Sequence, residues 1–136
     1  IFPDKSQSND YSNFDRILID APCSNTGVFS KRPDARWKRT PQDIKSLTEI
    51  QYKILNNAAR LLKEGGILVY STCSIESEEN ILLIQKFLDN NRDFQFESIS
   101  RYLPWQDKTE GGFVQIFQSK HNIDGFFIAK LKKIIK

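Results

Sequence analysis

Cys23 and Cys73 are the two thiols of this 136-residue chain. Both stand among polar, turn-forming residues: Asp20-Ala21-Pro22-Cys23-Ser24-Asn25-Thr26-Gly27 and Ser71-Thr72-Cys73-Ser74. Two cysteines are too few for a disulfide framework, and in a reducing compartment a free thiol with polar neighbours is available for chemistry. Nucleophilic attack suits it best, because the thiolate is a strong nucleophile at an accessible pKa. A metal centre is disfavoured, since neither cysteine has a second ligand at a suitable spacing. The bland reading is that a cysteine at a strand end fills a small apolar gap. Asp20 brings a carboxylate to the same turn as Cys23, where capping that turn is its plainest use.

Each cysteine follows a short apolar run. Arg16-Ile17-Leu18-Ile19-Asp20 is β-branched and ends in turn chemistry, which predicts a buried strand meeting a loop at its carboxyl end, with structure beginning near Phe14. Ile67-Leu68-Val69-Tyr70-Ser71 repeats that pattern ahead of Cys73. Between the runs, Thr40-Pro41-Gln42-Asp43 supplies an N-cap, a proline at the first helical position and an early acid. Ile44, Leu47, Ile54, Leu55, Ala58, Leu61 and Leu62 then keep helical spacing until Gly65-Gly66, which is expected to stop the helix. A second helix is expected from about Ser77, opened by Glu78 and Glu79 and continued through Ile81, Ile84 and Leu88. Weaker strands are expected over 94–99, 113–117 and 125–131 as a terminal antiparallel addition, with His121 in a loop.

This alternation argues for an α/β fold, because parallel strands need a crossover of about a dozen residues or more, usually helical. In such sheets the ligand site lies beyond the carboxyl ends of the strands. If the two strands are neighbours, thiols far apart in sequence meet across one cleft.

Twenty basic against 17 acidic residues leave a net charge of +3, which permits an anionic partner without demanding one. Lys31, Arg32, Arg36, Lys38 and Arg39 gather around Trp37 in what reads as an exposed basic loop. Surface charge is most often only a solvated face. The tryptophan tips the reading toward RNA, because an aromatic among cations can stack on an unpaired base while the cations track phosphate. No apolar run reaches bilayer length, and the polar segment 1–13 lacks the layout of a signal peptide, so a cytoplasmic protein without a membrane partner is expected. Residues 1–13 read as a lead-in loop. The lack of methionine and the opening Ile1 suggest a piece of a longer protein.

The stretch from Phe14 to Ser24, together with Ser71-Thr72-Cys73-Ser74 and Glu78-Glu79-Asn80, resembles the RNA cytosine-C5 methyltransferases of the NOL1/NOP2/Sun family. Within it, Arg32-Pro33-Asp34-Ala35-Arg36-Trp37 and Asp124-Gly125-Phe126-Phe127-Ile128-Ala129-Lys130-Leu131 look most like the bacterial 16S ribosomal RNA methyltransferase B branch. The resemblance runs from about Phe14 to Lys133. It implies that 14–136 is a partial catalytic domain, the C-terminal half of a Rossmann-like S-adenosylmethionine-dependent methyltransferase fold. It also implies methylation of cytosine C5 in RNA, with 16S rRNA as the expected target and S-adenosylmethionine as the cofactor. C5 of cytosine is a weak nucleophile, and adding a thiolate to C6 makes it enamine-like. The resemblance gives that attack to Cys73 and help in the later release step to Cys23. Asp20 is implied beside N3 of the base, where it would stabilise developing charge, and also near the methionine part of the cofactor. Arg32, Arg36, Trp37, Lys38, Arg39 and Pro22 are the expected RNA contacts, made to a cytosine turned out of its stack.

Three features depart from the family pattern. The glycine-rich cofactor segment and the acid after the next strand do not occur in this chain, and Gly27, Gly65-Gly66 and Gly111-Gly112 are in the wrong context to replace them. A half sheet leaves an apolar edge, which predicts weak cofactor binding by the chain alone and either self-association or pairing with the missing N-terminal half. Asn25 stands where the family carries Gly or Ala, and asparagine tolerates unusual backbone angles.

Other readings make different predictions. A non-catalytic RNA-binding or assembly remnant would bind RNA in a strongly salt-dependent way and transfer no methyl group even with the missing half supplied. DNA cytosine-C5 methyltransferases use the cysteine of a Pro-Cys motif, against which the Thr-Cys motif argues. An enzyme for exocyclic amines would need an Asp/Asn-Pro-Pro-aromatic loop in place of Asp20-Ala21-Pro22-Cys23.

Overall fold

The β-branched run forms strand β1, Phe14–Asp20, and the Cys23 loop follows with a 3-10 turn at Thr26–Val28. A computed structural model of the chain describes residues 14–28, 40–99, 101, 111–121 and 123–135. The lead-in segment 1–13 and the basic loop with Arg32, Arg36, Trp37, Lys38 and Arg39 lie outside the described residues. Helix α1 covers Pro41–Leu61, strand β2 Leu62–Thr72, helix α2 Ile81–Asn90, strand β3 Phe94–Phe96 and strand β4 Phe113–Ile116. A single helical turn, α3, Gln118–His121, precedes the last strand, β5, Phe126–Lys133. His121 was expected in a loop and instead ends this turn.

Helix α1 starts where its signals place it. The Thr40 hydroxyl accepts from Asp43 N–H, the Asp43 side chain accepts from Thr40 N–H, and Pro41 takes the first helical position. Its end differs from expectation. The helix stops at Leu61, whose successor Leu62 is already extended, with φ −86 and ψ 133. Lys133 of β5 satisfies one of the carbonyls the helix leaves open: its Nζ donates to Ala59 O at 3.1 Å and also to Leu62 O, the first residue of β2, at 2.9 Å. Gly65 and Gly66 instead lie inside β2, where Gly65 takes φ 77. They belong to an irregular stretch in which Phe14 pairs with Leu62 but Arg16 pairs with Ile67.

Helix α2 begins at Ile81 rather than near Ser77, because 77–80 form a turn closed by bonds such as Asn80 N to Ser77 O at 3.2 Å. The side chains of Glu79 and Asn80 serve the neighbouring loops and cap no helix. The terminal strands are shorter or shifted relative to 94–99, 113–117 and 125–131. Past Phe96 the main chain keeps a bond from Glu97 N to Lys130 O at 2.9 Å, and Ile99 packs as a core residue without strand pairing.

The sheet is mixed. Strand β1 runs parallel to β2, from Arg16↔Ile67 to Asp20↔Ser71, with α1 as the crossover. Strand β5 is antiparallel to β2 from Ile67↔Lys132 to Thr72↔Phe127. Along the other edge of β5, β3 and β4 pair with it, both antiparallel, at 131–133 and 126–129. Alternation then decides what is buried. Ile19, Leu68, Tyr70, Phe127, Ala129 and Leu131 face α1 and α2, where Leu55, Ile84 and Phe87 complete the core. Each large side chain buried this way stabilises the fold by about 1.5–3 kcal/mol, and Phe87→Ala, which also removes a ring contact to Phe94, would cost about 3–5 kcal/mol. Ile99, Val114 and Ile116, with Phe126 and Ile128, form a smaller second cluster. Leu18, out of phase with Ile17 and Ile19, stays 70% exposed on edge strand β1. Among the described residues no helix is long and apolar enough to cross a membrane.

Candidate active site

The parallel register of β1 and β2 delivers both cysteines to one place. Ala21 N donates to Ser71 O at 2.9 Å, which carries the ladder one residue beyond β1 and leads Pro22 and Cys23 to the end of β2. There the sulfurs of Cys23 and Cys73 lie 3.1 Å apart. Cys23 is buried, while Cys73 is half-buried and the more open of the two. Burial, reinforced by the hydrogen bond shared with Cys73, pushes the Cys23 thiol up to about 12. Cys23 is therefore held as a thiol at neutral pH.

Both loops are tied to one buried side chain. Glu79 is fully buried and its Oε1 accepts from Ser24 N at 2.8 Å and Gln51 Nε2 at 3.1 Å, while its Oε2 accepts from the hydroxyls of Ser24, at 2.6 Å, and Ser74. Gln51, on α1, also donates to Pro22 O at 2.8 Å. The Tyr70 hydroxyl donates to Glu79 O at 2.8 Å, which secures the turn from β2. Asn80 repeats the arrangement one residue on: it accepts from Thr72 Oγ1 at 2.6 Å and donates to Ser74 O at 2.9 Å. Four buried donors on one carboxyl group leave the residues after each cysteine little freedom, because releasing them leaves the buried carboxyl group without its hydrogen bonds.

A close backbone contact secures the opposite side. Gly27 N donates to Cys73 O at 2.9 Å and Gly125 N donates to Gly27 O at 2.8 Å. A Cβ on Gly27 would sit 2.2 Å from Gly125 O, so this position admits glycine alone.

Among the residues singled out from the sequence, Cys23 and Cys73 are in contact, and Asp20 and Pro22 are exposed next to them at the ends of the strands. The cations and Trp37 lie outside the described residues. Glu79, Asn80 and Gln51 escaped the sequence reading as site residues. Gln51 did carry a signal, since a polar residue at helical spacing between Leu47 and Leu55 sits on the apolar face. Glu79 and Asn80 read naturally as a helix start, and their one signal was their place in the motif that carries the family resemblance.

Asp20, an exposed carboxylate at the mouth of the sheet, fits one polar contact to a cofactor. The glycines do not add a phosphate- or nucleotide-type loop. Gly27 is closed against Gly125, Gly65 serves the bulge, and a Cβ on Gly112 would meet Glu97 O at 2.6 Å.

The family model described as 16S rRNA methyltransferase RsmB/F matches residues 2–132. The chain is 42% identical over 131 residues to ribosomal RNA small subunit methyltransferase B of Pasteurella multocida, covering 96% of this chain and 28% of that protein. It is 44% identical over 120 residues to the enzyme of the same name from Shewanella oneidensis, covering 88% and 27%. The chain thus spans little more than a quarter of these relatives. Among solved structures, NSun6 from Pyrococcus horikoshii with SFG matches at TM-score 0.73 and 32% identity over 88% of this chain and 30% of that one. A methyltransferase homolog protein from the same organism matches at TM-score 0.71 and 35% identity over 89% and 39%. The α/β architecture expected from the strand and helix pattern is the architecture of these methyltransferases.

Proposed function

This chain belongs to the 16S rRNA methyltransferase RsmB/F family, and from that premise we propose that it carries the catalytic thiols of an RNA methyltransferase acting on C5 of cytosine, with Cys73 forming a covalent bond to C6. S-adenosylmethionine, when bound, supplies the methyl group. Its use is supported by the NSun6 neighbour, whose structure holds SFG, an analogue of that cofactor. The RNA substrate, and 16S rRNA in particular, is supported by the description of the family model and by the names of the relatives. The proposal treats 14–136 as part of the catalytic domain of a longer protein in the cytoplasm, whose remaining segments complete the cofactor site around Asp20.

The observation that carries this reading is the 3.1 Å contact between the Cys23 and Cys73 sulfurs at the carboxyl ends of two parallel strands. Cys73 is the more open thiol and is assigned the attack. As its thiol proton passes to N3 of the base, the Cys73 sulfur adds to C6 and the C5=C6 electron pair becomes available at C5, while the exposed Asp20 accepts a hydrogen bond from the N3–H so formed. After C5 has been methylated, its proton must leave as the C6–S bond breaks. Cys23, held neutral next to the departing sulfur, hands its proton to Cys73 and as a thiolate takes the proton from C5. Atoms balance: C5 gives its proton to Cys23, Cys73 regains one from Cys23, and the proton taken up at N3 leaves to solvent as the ring's aromaticity returns. The cations around Trp37 are proposed to track the RNA backbone.

The test uses the full-length protein with 16S rRNA and radiolabelled cofactor. Cys73→Ala is expected to abolish methyl transfer, and Cys23→Ala to leave RNA covalently trapped on Cys73, visible as a denaturation-resistant complex. An adduct mapped to Cys23 reverses the two roles.

A further inference from the structure

The backbone geometry of Asn25 is unusual. The residue takes φ 60, the single non-glycine residue in the left-handed region among the described residues. Glycine is the relaxed choice at such a position, so a side chain kept there at a conformational cost calls for an explanation from its contacts. The Oδ1 atom lies 2.9 Å from Cys73 Sγ and 3.7 Å from Cys23 Sγ. The left-handed backbone turns the amide back over the loop and across both thiols. Cys73 Sγ therefore has two polar neighbours in reach, the amide oxygen of Asn25 and the sulfur of Cys23.

We propose that Asn25 is a thiol-directing residue of this chain: its amide oxygen accepts the Cys73 S–H proton and so holds the sulfur against Cys23. The role assigned to Cys73 in catalysis rests on the reading above, but the hydrogen bond and its effect on the thiol do not. An acceptor stabilises the protonated sulfur and has nothing to give the thiolate. With glycine at this position the Cys73 sulfur loses its amide acceptor and can turn away from Cys23, which leaves it more open to alkylation and oxidation.

Two variants read this directly. Asn25→Gly removes the acceptor and relaxes the backbone, so it keeps the fold. Asn25→Asp keeps the shape and the tolerance for φ 60 but adds charge. The readout is the rate of Cys73 alkylation by iodoacetamide at one fixed pH, with Cys73 and Cys23 peptides resolved by mass spectrometry. Asn25→Gly is expected to raise the Cys73 rate by roughly three- to tenfold, the size of one hydrogen bond. Asn25→Asp, which keeps an acceptor oxygen for the S–H and sets a negative charge beside the reacting sulfur, is expected to slow it. An unchanged or slower Cys73 rate in Asn25→Gly overturns the proposal. Loss of the nucleophile assignment would show separately, as methylation that survives Cys73→Ala.

Discussion

Ser24 and Ser74, each the residue immediately after a cysteine, give their hydroxyls to the same oxygen, Oε2 of Glu79, and their own oxygens lie 3.3 Å apart. The two thiols are thus spaced by a bracket one residue downstream of each of them.

Removing the bracket has a foreseeable cost. Glu79→Ala leaves the Ser24 amide and hydroxyl, the Ser74 hydroxyl and a Gln51 amide N–H without their acceptor. Destabilisation on the order of 3 kcal/mol is expected in urea unfolding. Glu79→Gln, which keeps one acceptor oxygen and lets the hydroxyls rotate to accept from its amide, should lose less than half of that. Equal losses for both variants would count against the bracket.

Gly27→Ala puts a methyl group 2.2 Å from Gly125 O and 2.9 Å from Cys73 O, both backbone atoms that cannot swing aside. A loss of about 2 kcal/mol or more is expected, along with a Cys73 loop that exchanges its amide hydrogens faster. Differential scanning calorimetry and hydrogen exchange check the two parts.

Alkaline pH should unfold the chain by way of Cys23. Its thiol is raised from 9.0 to about 12 in the folded state, so the unfolded chain releases this proton first. The associated stability is complete below about pH 9 and is lost as pH climbs from 9 towards 12. Tyr70, raised mainly by burial, pulls in the same direction. Urea midpoints measured from neutral to strongly alkaline pH should fall, and Cys23→Ala should make that fall shallower without removing it.

Leu18 is 70% exposed on an edge strand. Leu18→Lys should change the stability of the monomer by no more than about 0.5 kcal/mol while reducing concentration-dependent association. Light scattering across a dilution series decides, and unchanged association would mean that the β1 edge is not where copies meet.

What was legible in the sequence was what is local. The apolar runs before Cys23 and Cys73, followed by turn residues, located two strands and predicted that the thiols would meet if those strands were neighbours. The signals at Thr40, Pro41 and Asp43 act within one turn and located the start of α1. What escaped depends on distant partners. Helix α1 ends at Leu61 because Leu62 already pairs with Phe14 as sheet, and Lys133, far along the chain, reaches back to the Ala59 carbonyl. Glu79 looks like a first-turn acid until the Ser24 loop closes over it, and Gly65-Gly66 looks like a helix stop until β1 shows that a bulge is needed there.

The irregular stretch between Leu62 and Ile67 makes β2 a rule with a loose end and a graduated end. Upstream of Ile67, extra residues are absorbed by the bulge, so insertions and deletions there shift nothing beyond it. From Arg16↔Ile67 to Asp20↔Ser71 the pairing is continuous, and one residue gained or lost on either strand slides a sulfur by about 3.3 Å and turns it to the other face. Length variation among descendants of this chain should therefore accumulate ahead of Ile67 and be purged between there and Cys73.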